Sequence, residues 1–334
     1  MLIGDKAKEF AGQLMSAVKS AKSICLTTHI NPDGDGLCTC LAMKRILQFL
    51  GYRSDFVVDD FELDRYNNLQ ILDNVILDND SLHYDLVIIV DLHDYQRLGS
   101  RVHLTNDAEK VFILDHHEVE NDLIKCVNCW IDSKAVCTGW MLYAMFTDVI
   151  SAMPEADKEY VGMCLYTTLL NDTNNFTNAN TDEHAYELAA AVCRLGVKTY
   201  QVYRKFMISR TPMEMRLLGQ VLSTIELLEN GRILFMDSSQ DMLNQNGLEK
   251  DAISNLTRWV QDLKGVDTVV YFREEEIGRY RLSLRSKTVN VHAIALKYGG
   301  GGHLQASGCS CEGMLPEIKK TILEDIIASD KMVH

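Results

Sequence analysis

Four short runs in the first half of the chain are almost wholly apolar and each closes in polar residues: SICLTTH (23 to 29), SDFVVDD (54 to 60), DLVIIVD (85 to 91) and VFILDHH (111 to 117). They read as β-strands. Helical stretches are spaced between and beyond them, over 36 to 50, 138 to 150, 156 to 170 and 182 to 195, the last stopped by Gly196 in the manner of a C-cap. Residues 1 to 20 read as a further amphipathic helix. Strands alternating with helices predict an α/β fold with a doubly wound, mainly parallel sheet. In such sheets ligands bind outside the carboxyl ends of the strands, so residues there converge although far apart in sequence.

The second half has another texture. GRILFMD and VDTVVYF read as strands, and the second continues through REEEIGRYRLSLRS as a hairpin turning near Glu276 to Gly278. A short helix over about 290 to 298 runs into the consecutive glycines Gly299, Gly300, Gly301 and Gly302, then His303. Between the halves, VKTYQVYRKFMISRTP reads as a connector. The expected organisation is residues 1–196 as a first domain, 197–216 as connector, and 217–334 as a smaller α/β domain with a glycine-rich loop.

Composition narrows the function. At 334 residues two domains are expected, and 47% hydrophobic with 24% charged residues is ordinary for a globular protein. A formal charge of −14 repels long polyanions and leaves small phosphorylated substrates as the easier partners. No apolar run is long enough to span a bilayer, which points to the cytoplasm. The ten cysteines lie mostly in apparent core segments and read as reduced thiols; Cys126 and Cys129 form a lone CxxC without the second pair a zinc site needs.

The candidate chemistry sits at the run ends. HINPDGDG places His29, Asp33 and Asp35 on one tight turn, where Asp and Gly also suit a helix N-cap. Asp91 closes the most apolar run, where a carboxylate needs a cation or hydrogen bonds; His93 and Asp94 follow as orienting candidates. Asp115, His116 and His117 close a third run, and Asp172 stands at the predicted end of a helix. Mixed imidazole and carboxylate donors suit manganese. Two cations roughly 3.5 to 4 Å apart polarise phosphoryl oxygens and acidify a bridging water, which attacks as hydroxide. No phosphate loop with Gly-Lys-Ser/Thr and no dinucleotide fingerprint is present.

His29-x-Asn-Pro-Asp33-x-Asp35, Asp91 and Asp115-His116-His117 together resemble the DHH phosphoesterase superfamily. RLSLRS and GGGGH followed by ASG resemble the DHH-associated C-terminal domain. The resemblance implies two manganese ions, with magnesium or cobalt as substitutes: one held by His29, Asp33 and Asp91, the other by Asp35, Asp91, His116 and Asp172. It implies that Asp115 orients His116, that His117 faces the scissile phosphate, and that Arg285, Ser286, Gly299 to Gly302 and His303 bind the rest of the substrate. Where many relatives have Asp-Thr-Gly and an aromatic-basic pair, this chain has Asp172-Thr173-Asn174-Asn175-Phe176-Thr177.

The two-domain layout most resembles the stand-alone group that degrades short RNA oligonucleotides and removes the 3′-phosphate of 3′-phosphoadenosine 5′-phosphate (pAp). The alternatives are a phosphodiesterase for cyclic di-AMP or its linear product pApA, a polyphosphatase, and a non-catalytic nucleotide-binding protein. The expected partners are short single-stranded RNA or nucleotide phosphates, with no long duplex and no membrane, and a homodimer is one open assembly.

Overall fold

The structure is a computed structural model and describes residues 3–59, 66, 75–119, 123–207, 211–249, 256–260 and 263–330. The chain divides into two compact units, 1–209 and 210–334.

The first unit carries β1 (Ile24–Thr27), β2 (Asp55–Val58), β3 (Val75–Leu77), β4 (Leu86–Val90), β5 (Lys110–Asp115) and β6 (Asn128–Ile131) in one sheet of order β3-β2-β1-β4-β5-β6. Every pairing is parallel, with Ile24 opposite Leu86 and Val87 opposite Val111. Residue 60 of the second predicted strand lies outside the described residues. Both faces of the sheet are buried, which explains the unbroken apolar runs. Leu26, Phe56, Ile88, Phe112 and Trp130 join one core, with helices α1 (Ile3–Ser20), α2 (Gly34–Phe49), α4 (Thr138–Ala152) and α5 (Glu155–Asp172). Their neighbours Cys25, Val57, Val87, Ile89 and Ile113 point the other way, toward Leu98 and Leu104, the latter on α3 (Val102–Asp107).

The position of β1 decides where a ligand can go. The chain runs from β1 outward to β3 on one side, then returns to build β4, β5 and β6 on the other. The strand order therefore reverses between β1 and β4, and the crevice at their carboxyl ends is the switch point where such sheets bind ligands.

Residues 197–216 divide between the units. Val197, Val202 and Phe206, the last two on α7 (Thr199–Met207), join the first unit's core after α6 (Glu183–Arg194). Thr211 then caps α8 (Pro212–Leu222), whose Leu217, Leu218 and Val221 belong to a core of the second unit.

The second unit is a six-stranded sheet of order β11-β12-β10-β9-β8-β7. Its strands are β7 (Glu226–Leu228), β8 (Ile233–Ser238), β9 (Thr268–Glu276), β10 (Arg279–Ser286), β11 (Gly301–His303) and β12 (Ala306–Glu312). All neighbours are antiparallel except β8 and β9. α11 (Val291–Lys297) and α12 (Leu315–Asp330) cover one face through Ile294, Ile322 and Ile326. α8, α9 (Gln240–Asn246) and α10 (Thr257–Val260) pack on part of the other. The predicted hairpin and the helix before the glycines are both present.

Candidate metal centre

At the end of β1 the chain turns into α2, and the turn does two jobs. Asp33 caps α2, its Oδ1 accepting from the amides of Asp35 (2.9 Å) and Gly36 (3.3 Å). Its Oδ2 accepts from Asn171 Nδ2 at 3.0 Å. His29 is buried and its Nδ1 donates to the Ile30 carbonyl at 2.8 Å, which fixes the ring and leaves Nε2 free. Nε2 lies 3.5 Å from Asp91 Oδ2 and 3.7 Å from Asp33 Oδ1, and it has no hydrogen-bond partner.

Asp91, at the end of β4, is 1% exposed and holds a left-handed backbone (φ +64). That conformation is uncommon outside glycine and costs about 1 kcal/mol or more, so the packing around it must enforce it. Its carboxylate faces two ways. Oδ2 is turned to His29, while Oδ1 lies 3.6 Å from His116 Nε2 and accepts from Thr138 Oγ1 at 3.2 Å.

The second cluster repeats the same construction. His116 Nδ1 donates to the Ala135 carbonyl (3.2 Å), and Nε2 stands 3.0 Å from Asp172 Oδ2 and 3.7 Å from Asp35 Oδ2. Asp35 is fully buried and is steadied by the amides of Thr138 (2.7 Å) and Gly139 (3.1 Å) at the start of α4 and by Thr39 Oγ1 (3.2 Å). Donor atoms of His29, Asp33 and Asp91, of Asp35, His116 and Asp172, and of Asp91, His116 and His117 each lie within 4.8 Å of one another.

The electrostatics suit cations. Burial raises the pKa of Asp35, and the negative charges of Asp172 and Asp91 add to it. Asp91 is likewise pushed up by burial, against the pull of His29. Burial disfavours charge on the histidines, but the surrounding carboxylates outweigh it and lift His29 to about 9 and His116 to about 11. Asp33 is held well below the carboxylate range: His29 overcomes its burial. Without a metal, two imidazolium groups thus stand in for positive charge. Two buried ligand atoms, His29 Nε2 in one cluster and Asp172 Oδ2 in the other, face only other ligand groups, the latter at 3.0 Å from His116 Nε2. Both aim into the two places where the ligand atoms converge.

Asp115 is buried and accepts from the amides of His116 (2.7 Å) and His117 (3.2 Å), from His117 Nδ1 (2.8 Å) and from His93 Nδ1. Its bond to the His116 backbone supports that turn, whereas the His116 ring is oriented by Ala135. Burial opposes the charge on Asp115, yet His117 and His93 keep it well below the usual range. In return, Asp115 raises the pKa of buried His93. His117 is half-exposed.

Sequence reasoning missed four supports. Asn171 donates to both Asp33 and Asp172 (2.9 Å) and accepts from the Gly34 amide (3.2 Å). Thr138 touches Asp35 and Asp91. A Cβ on Gly36 would stand 2.1 Å from Thr28 Oγ1 and 3.2 Å from Asp91 Oδ2. Arg101, wholly buried, donates to the Thr28 carbonyl (2.6 Å) and Thr27 Oγ1 (2.8 Å) and pairs with Asp59 (2.9 Å), clamping the end of β1 just before His29. An Asn beside an Asp was the only visible signal for the three polar supports; partners some forty to a hundred and forty residues apart carry none.

In the second unit, Arg285 is half-buried on β10 and its Nη1 donates to the Leu284 carbonyl (2.8 Å). The Ser286 hydroxyl is engaged internally, with Thr268 Oγ1 (2.9 Å) and the amides of Thr288 (3.2 Å) and Val289 (2.9 Å). Gly299 and Gly302 have positive φ, and a Cβ on Gly300 would meet the Gly308 carbonyl at 2.1 Å. Gly301 has neither constraint. Gly301 and Gly302 belong to β11 and pair with Gly308 and Ser307, so half of the glycine run is edge strand. The His303 side chain lies outside what the structure describes.

Residues 23–168 match the DHH family, N-terminal domain, and residues 233–328 match the DHHA1 domain. The chain belongs to the DHH family. Its phosphoesterases depend on divalent metal ions, and the donor set above fits such ions. Over 91% of its length the chain is 27% identical to the bifunctional oligoribonuclease and PAP phosphatase NrnA of Thermus thermophilus, covering 89% of that protein. The Bacillus subtilis protein of the same name is 24% identical over 89% of this chain and 92% of its own. The solved structure of an exopolyphosphatase-related protein from Bacteroides fragilis shares the fold, with a TM-score of 0.87 over 97% of each chain at 18% identity.

Proposed function

We propose that this DHH-family chain is a two-metal phosphoesterase that hydrolyses short RNA oligonucleotides and removes the 3′-phosphate of pAp, with manganese as its metal. The observation that carries the reading is the divided carboxylate of Asp91, with Oδ2 3.5 Å from His29 Nε2 and Oδ1 3.6 Å from His116 Nε2. One oxygen serves each cluster. His29, Asp33 and Asp91 would hold one ion; Asp35, Asp91, His116 and Asp172 the other. When bound, such ions neutralise phosphoryl charge and lower the pKa of water beside the phosphorus.

The chain's own groups do the rest. Ile30 and Ala135 hold the two ligand imidazoles in the tautomer with Nε2 free. Asp115 holds His117 by Nδ1, which leaves His117 Nε2 to meet a phosphate oxygen or protonate the leaving oxygen. Arg285 and the Gly301 backbone suit a second phosphate, Arg285 through its planar fork and Gly301 because no steric demand of the fold requires glycine there. Similarity to the two oligoribonuclease and PAP phosphatase relatives supports the substrate class, and the acidic chain favours short single strands over duplexes, in the cytoplasm.

The test is manganese-dependent phosphate release from pAp, run beside cleavage of a labelled RNA dinucleotide and of cyclic di-AMP, with chelator controls. Activity on the first two supports the reading. Activity on the cyclic dinucleotide alone replaces the substrate, and silence on all three with manganese present removes the enzyme.

A further inference from the structure

The face of β10 turned away from the α11/α12 core carries Arg279, Arg281, Ser283 and Arg285, since Tyr280, Leu282 and Leu284 point into that core. Alternate residues of a strand are about 6.6 Å apart, comparable with successive phosphates of an extended nucleic-acid strand. Across the sheet, Arg281 is directly opposite Arg273 on β9 and Ser310 on β12. Two like charges opposed on neighbouring strands destabilise a sheet, so this placement needs a reason. Arg273 pairs with Glu275 at 2.8 Å, and Arg279 has Glu276 and Glu312 opposite it. Arg281 is exposed and takes part in no ion pair among the described residues. Between Arg281 and Arg285, Ser283 faces Gly308 on β12, itself opposite Gly301, which leaves low ground on that side of the two guanidinium groups, while Tyr271 stands opposite Ser283 on β9.

We propose that Arg281, four residues and therefore about 13 Å from Arg285 along β10, is a second phosphodiester contact two nucleotides along from that of Arg285, and that it sets a preference for oligonucleotides over mononucleotides. This rests on the phosphoesterase reading above. A ligand with one phosphodiester and a free end occupies Arg285 alone. A 5′-phosphorylated trinucleotide, whose three phosphates span two such steps, reaches both arginines, and the phosphate at Arg281 also relieves the opposition of Arg281 and Arg273. In a chain of net charge −14 such a row is a local reversal of sign, confined to a track a few nucleotides long.

The experiment compares Arg281→Gln with the natural chain in two assays: binding of a fluorescent 5′-phosphorylated RNA trinucleotide and of pAp under chelation, and manganese-supported turnover of both. Arg281→Gln is expected to weaken trinucleotide binding about 5- to 10-fold more than pAp binding. The dependence of log affinity on log salt should become shallower by about 0.7, the loss of one single-strand phosphate contact. The thermal midpoint should stay or rise, because a like-charge pair is removed. Equal effects on both ligands, no effect on either, or an unchanged salt slope would overturn the role of Arg281. Length-dependent weakening without turnover by either chain would keep Arg281 and overturn the phosphoesterase reading.

Discussion

Asp91→Asn separates the shared-carboxylate account from every simpler one. The substitution keeps the shape and tolerates the left-handed backbone, since Asn enters that region as readily as Asp. It removes one negative charge and turns one oxygen into an N–H donor, so whichever way the amide points, one cluster meets a group that cannot hold a cation. A unit charge about 4 Å away is worth about 4 kcal/mol at an effective dielectric of about 20, which corresponds to roughly a 1000-fold loss of turnover. The metal-free protein should move the other way. Burial raises the pKa of Asp91, so its ionised form opposes folding at neutral pH, and the charge also pushes up Asp35. Removing it should hold or raise the metal-free melting temperature while abolishing most of the rise that manganese gives. Scanning calorimetry with and without manganese, alongside pAp turnover, reads both. Near-normal turnover with a full manganese-induced rise would refute the shared ligand.

Metal binding should release protons. His29 and His116, lifted to about 9 and about 11, are charged at pH 7 and must become neutral to ligate, so affinity should climb steeply as pH rises toward 9; binding heats that do not vary with the buffer's ionisation enthalpy would contradict this. Gly36→Ala puts a methyl 2.1 Å from Thr28 Oγ1 and beside Asp91, and is expected to destabilise by about 1–3 kcal/mol and to lower metal affinity; an unchanged denaturation midpoint argues against the tight turn. Asn174, at φ +46, opens a run of three left-handed residues with Asn175 and Phe176. Asn174→Ala should cost about 1 kcal/mol while Asn174→Gly stays within about 0.5 kcal/mol, and equal melting curves for the two would show that the turn is not strained.

Much of the first unit was legible because its strands are buried on both faces, so DLVIIVD and VFILDHH announced themselves. β3 and β6 did not. VIL is a three-residue edge strand only partly buried, and NCWI is interrupted by Asn and Cys although Trp130 is fully enclosed. At Asp33 the N-cap reading holds and does not exclude the ligand reading, since the Oδ1 that caps α2 also lies 3.7 Å from His29 Nε2. The clustering of His29 with Asp91, and of Asp35 with His116 and Asp172, follows from strand order, which a local pattern does not contain. The hydrogen bonds of Asn171, Thr138 and Arg101 depend on register between distant elements and were invisible for that reason. Ser286 shows the converse: a motif position suggested a ligand contact, while its hydroxyl is spent on the turn that follows β10.

The most direct test of the central claim is electron paramagnetic resonance of the manganese-titrated chain. Two ions per chain with an exchange-coupled spectrum are expected, collapsing to isolated manganese in Asp91→Asn. A single ion at saturation, or two that never couple in the natural chain, would contradict a carboxylate shared between them.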